Sequence, residues 1–214
     1  VHGMANLIFN QVKEHAGLKH WPTKLTNMAE GRPVGSPKIQ VEGALRGSKG
    51  IMPTGEVIHQ LPVTYNPDQL RNPEVLIADY AHVLAHYLGS MSKEPPPGGV
   101  ENWPHVTEVV AVFMGFGLMM ANSAHTAKVR SCGSCSGPAV ERSNALSQYD
   151  ITYALAIFSS LKEIPSSEVL VNLKKTLRPF YKKAAKEVMS KQQELNRIRE
   201  SSLPLPWPQN SRGV

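Results

Sequence analysis

The sequence predicts an α+β protein, mostly helical, with a small N-terminal sheet and a long C-terminal helix. Three observations predict it. Apolar residues alternate over 38–44 and, less cleanly, over 56–65, as half-buried strands require. From residue 73 onward, segment after segment carries apolar residues at helical spacing. The 214 residues, 41% hydrophobic and 19% charged, have the balance of a globular chain long enough to bury a core.

The first helix is expected over 4–18, where Leu7, Ile8, Val12 and Ala16 fall at helical spacing and Gly17 acts as a stop. Pro, Gly and polar residues make 21–36 a loop. Ile39 and Val41 mark the first strand, and Val57, His59, Leu61 and Val63 the second. Gly47, Gly50, Pro53 and Gly55 turn the chain between them. Asn72-Pro73 reads as a cap followed by a first-turn proline, opening a helix over 73–91 that is apolar on nearly every face and therefore buried. A Pro/Gly loop over 95–99 separates it from a helix over 105–122, and a polar loop covers 123–146. Ser147 with Asp150 resembles a capping box at the start of a helix ending near Leu161. Ser166 or Ser167 caps the next, to about Leu177, and Pro179 opens a long polar helix to about Ser201. Residues 1–201 are expected to form a single domain, and 202–214, with three prolines, an extended or disordered tail.

No run of eighteen or more apolar residues occurs, so no membrane span is expected. Val1-His2-Gly3 ahead of Met4 is compatible with a tag remnant, and the N-terminus lacks the parts of a signal peptide. Two cysteines do not make a disulfide scaffold, which together with the missing signal sets a cytoplasmic default. The net charge of +6 is local, because Lys174, Lys175, Arg178, Lys182, Lys183, Lys186 and Lys191 crowd the C-terminal region. A solvated basic helix is the first explanation, ahead of a contact with an acidic protein or nucleic acid. Aromatic interleaving stops at Phe180 and Tyr181, so nucleic acid is not favoured.

The residues that point to chemistry are His82 and His86. Four apart on a helix, they project from one face and can bind one tetrahedral metal ion. The helix is otherwise apolar, so both imidazoles need partners inside the core. The following helix is apolar too, apart from one carboxylate, Glu108, read as lying just inside its start. A carboxylate buried beside two imidazoles calls for a cation or shared protons, unless the positive end of the helix stabilises it. His82, His86 and Glu108 are the candidate metal ligands. His105, three residues before Glu108, is a weaker neighbour.

His82-Val-Leu-Ala-His86-Tyr-Leu resembles the H-E-x-x-H helix of zincin metallopeptidases, with Glu108 where the gluzincin type places its third ligand. With 107–124 and 146–158, it is similar to uncharacterised bacterial metallopeptidase-like proteins carrying a HELAHYL helix. The similarity spans about residues 60–180. It implies a zincin-like helical core, zinc as cofactor, and a peptide or protein as substrate or partner.

The departure is Val83. In that family the residue is a glutamate acting as general base on metal-bound water, and valine accepts no proton. Asp79, one turn earlier, is the best substitute base; a fourth-ligand or orienting role is equally open. Glu101 is a poorer candidate. The resemblance thus implies a metallopeptidase-like protein of doubtful hydrolytic activity, the alternative being a non-catalytic pseudoenzyme that binds through its basic C-terminal helix. Cys132-Gly-Ser-Cys135 has C-x-x-C spacing, but no second pair exists and His125 is the nearest histidine, so metal, redox and inert readings stay open. Gly115-Phe-Gly117 reads as close helix packing rather than a phosphate loop, because no strand precedes it.

Overall fold

In the computed structural model, residues 1–30, 42–43, 45–47, 50–51, 60–128 and 145–201 are described. Helix α1 (His2–His15) ends as expected at Gly17, whose φ of 71° lies in the left-handed region. Its buried side is Ala5, Phe9, Val12 and Ala16, whereas Leu7 stays exposed. Strand β1 (Thr23–Asn27) follows, then two short strands, β2 (Glu42–Gly43) and β3 (Gly50–Ile51), and β4 (Leu61–Tyr65). A 3-10 turn, Pro67–Arg71, leads into α2 (Pro73–Ser90). Helix α3 (Trp103–Ala111) runs into a π-helical turn (Val112–Phe116) and on into α4 (Gly117–Lys128). Helices α5 (Gln148–Leu161), α6 (Ser166–Asn172), α7 (Arg178–Ser190) and α8 (Gln192–Ser201) complete the order.

The sheet differs from expectation. Strand β4 pairs with β1, in parallel, with Thr23 opposite Leu61 and Asn27 opposite Tyr65. The segment 21–36, expected as a loop, supplies β1. The alternating stretch 38–44 contributes its described part, Glu42–Gly43, to a separate antiparallel pair with β3. Residues 38–41 and 56–59 lie outside the described residues. The parallel pairing follows from burial: Leu61, Val63 and Tyr65 turn inward together, and Leu25 meets them from β1.

Helix α2 is central, as its all-round apolar surface requires. Leu76 and Leu84 are fully buried, each contributing roughly 1.5–3 kcal/mol. Tyr80 donates its hydroxyl to Ala5 O (3.4 Å), and Tyr87 to Pro62 O (2.7 Å), so α2 is tied to α1 and to β4. Burial holds the Tyr87 hydroxyl at a pKa of about 12. The start of α2 departs from prediction in detail: Asn72 makes no side-chain cap, and its N–H goes to Gln69 O. The capping asparagine is Asn66, which accepts from Asp68 N at the preceding 3-10 turn.

The expected helix over 105–122 is longer and interrupted. At its centre Gly115 adopts φ 104° inside the π turn. Gly117 has helical angles and a different constraint, since a β-carbon there would lie 2.8 Å from Leu155 Cδ1. Close packing against α5 therefore accounts for the second glycine and not for the first. By length and composition Val100–Ala124 could cross a membrane, but 61% of its most apolar window is buried within the structure, the condition of a core helix.

Ser147 and Asp150 form the predicted capping box. Helix α6 starts at Ser166 with no side-chain cap from either serine. The long C-terminal helix is corrected to two helices, broken at Lys191 (φ −99°, ψ 52°). The break lets α8 turn back onto α5, burying Leu195 and bringing Arg199 to donate to Ser160 O (3.2 Å). A straight continuation would leave Leu195 in water.

Candidate functional site

Helices α2 and α3 pack against each other and carry the predicted residues. His82 is 3% exposed and Glu108 is fully buried. His86, one turn after His82, is half-buried, its ring edge-on to Tyr87 with centroids 5.9 Å apart. Burial lowers its pKa below the ordinary imidazole value. The neutral ring that this favours is the form that binds metals.

Glu108 does not sit where the sequence suggested. Helix α3 begins at Trp103, so the carboxylate lies beyond the first turn, where the positive end of the helix has little effect. Its Oε2 instead accepts the Leu146 N–H at 2.7 Å, just ahead of α5. A bond from an N–H to a carboxylate is charge-assisted, and this one fastens α3 to the start of α5.

Among the described residues, no group of three or more His, Cys, Asp or Glu side chains comes together closely enough to hold a metal ion. His82 and His86 on α2 and Glu108 on α3 thus lie on two packed helices. Val83, between the two histidines in sequence, is 6% exposed. Comparison with protein-family models, with curated proteins and with solved structures finds no match.

Asp79 is half-buried, and its Oδ2 accepts from Gln69 Nε2. This bond occupies one acceptor site of the carboxylate and orients it, while Oδ1 keeps lone pairs that can take a proton. Glu101 and His105 are exposed. Cys132 and Cys135 lie outside the described residues, as does the His125 side chain.

Sequence reasoning missed Gln69 as the partner of Asp79 and Leu146 N–H as the partner of Glu108. The Asn66-Pro67 turn signal places Gln69 shortly before α2, but only packing brings it to Asp79. A backbone donor such as Leu146 leaves no signature in residue type. Lys13 was also missed. It is 8% exposed, donates to Trp21 O (2.7 Å) and Thr23 Oγ1 (2.9 Å), and lies 5.9 Å from the Phe9 ring centroid. These bonds tie α1 to β1, and burial lowers its pKa.

Proposed function

We propose that the chain is a metallopeptidase-like scaffold that does not hydrolyse peptides and works as a binding protein. The observation that carries this is Val83, a buried side chain without a proton acceptor, set between the two histidines. The binding surface is the basic face of α7. Tyr181, Ala184 and Val188 point inward, while Lys182, Lys183 and Lys186 are exposed, with Lys174 and Lys175 exposed just before them. Such a face favours an acidic protein partner.

The test has two arms. The natural protein, given one equivalent of zinc, is expected to leave a fluorogenic peptide library uncut; cleavage abolished by His82→Ala overturns the proposal. Reversing Lys182, Lys183 and Lys186 to Glu is expected to abolish salt-sensitive capture of an acidic polypeptide such as polyglutamate, and undiminished capture refutes the assignment of α7.

A second reading, zinc binding without hydrolysis, is favoured by His82 and His86 standing one turn apart, with burial lowering the pKa of the His86 ring. Metal analysis after purification without added zinc separates the two. A full equivalent of zinc, lost in His86→Ala, favours the second reading, and less than about one-tenth favours the first.

A further inference from the structure

Of the apolar row Leu7, Ile8, Val12 and Ala16 on α1, Leu7 is exposed and Ile8 half-buried, while Val12 and Ala16 are buried. Ile8 and Val12, with Ile77 of α2 and Met114, Leu118 and Met119 of the π turn and α4, line a concave cavity of about 610 Å³. Roughly 300–1,000 Å³ is the usual size of a small-molecule site. Its rim carries exposed Leu7.

Three features distinguish this cavity from a packing gap. The first is the π turn in its wall, a distortion that often marks functional sites and that shifts the register of the helix. Gly115, at φ 104°, has no heavy atom within 4 Å of where a β-carbon would stand, so the backbone itself faces open space. The second is the lining, where two methionines supply adaptable, polarizable surface. The third is its charge: among the described residues, no Asp, Glu, Lys or Arg lines it. Its polar side chains are Gln11 and His15, one helical turn apart on α1.

We propose that this cavity binds a neutral amphiphile, an alkyl or acyl chain ending in a hydroxyl or amide. The chain would lie along Ile8, Ile77 and Leu118, and the head would exchange hydrogen bonds with Gln11 and His15. A carboxylate or phosphate head finds no Lys or Arg among the described lining residues and faces the C-terminal end of α1, where the helix dipole is negative. Charge complementarity therefore selects an uncharged head. The proposal does not depend on the metallopeptidase resemblance, because none of its residues belongs to that motif.

The experiment uses the full chain and N-phenyl-1-naphthylamine as a fluorescent reporter of apolar sites. Saturable fluorescence is expected, displaced by 1-octanol and octanamide at least tenfold more effectively than by octanoate at neutral pH. Leu118→Trp fills the cavity and is expected to abolish reporter binding with the fold retained by circular dichroism; Ile8→Trp serves the same purpose if the first variant fails to fold. Gln11→Leu with His15→Leu should weaken displacement by 1-octanol and octanamide at least tenfold while keeping reporter binding. No saturable binding, equal displacement by octanoate, or full binding in a folded tryptophan variant would each overturn the proposal. So would a dimer in sedimentation that buries this face, since the cavity would then be a protein interface.

Discussion

Asn122 joins three parts of the fold, and its removal can be reckoned bond by bond. The side chain, 3% exposed on α4, donates through Nδ2 to Glu74 Oε1 (2.9 Å) and to Asn172 O (3.0 Å). Its Oδ1 accepts the Lys174 N–H at 3.0 Å. Asn122→Ala deletes all three bonds and strands two backbone groups at the turn between α6 and α7. Each lost bond costs about 0.5–1.5 kcal/mol, the one to a carboxylate somewhat more, so the sum is about 2–4 kcal/mol. For a chain of this size, 1 kcal/mol corresponds to about 2–4 °C in Tm, giving a drop on the order of 10 °C. Asn122→Asp should be worse at neutral pH, since it sets a carboxylate oxygen against Glu74 and the Asn172 carbonyl; acidification should partly restore it. Urea melts followed by circular dichroism measure both. A loss below about 0.5 kcal/mol in Asn122→Ala, at unchanged m-value, would refute the claim that this bracket holds α6 and α7 to α4.

Gly117→Val places branched carbons where a β-carbon would already lie 2.8 Å from Leu155 Cδ1 and 3.0 Å from Val112 Cγ1. It should cost about 1–3 kcal/mol through overpacking, and a wild-type melting curve would show that the α4–α5 spacing is adjustable. Burial depresses the pKa of His86, and of His20 with help from the nearby Lys13 charge, so the unfolded chain takes up protons before the folded one does. Stability from both histidines is therefore complete above the unfolded value of about 6.5 and falls as pH drops through the lower folded value. His86→Gln should flatten the decline in stability between about pH 7 and pH 5, and an unchanged slope would contradict the assignment.

How far the fold was legible depended on whether its cause was local. The buried state of α2 was readable because apolar residues cover nearly every face of 73–91. The capping box at Ser147 was readable because both its bonds close within four residues. Strand β1 was not, since Thr-Lys-Leu-Thr-Asn carries one apolar residue and becomes a strand only by pairing with β4 across a long crossover. The π turn at Gly115 and the break at Lys191 were equally hidden. The first lies where this stretch packs on α2 and α5, and the second follows the burial of Leu195 against the helices before it.

The candidate site divides along the same line. Sequence alone determined that His82 and His86 share a helix face, because helical periodicity fixes that whatever surrounds it. It also determined that the residue between them at 83 cannot take a proton. Tertiary structure decided where Glu108 sends its bond, since Leu146 N–H is a backbone group brought within 2.7 Å only when α5 docks on α3. It also decided that part of the apolar row of α1 lines a cavity. Periodicity says which residues share a face, and only packing says whether that face meets protein, solvent or a space large enough for something else.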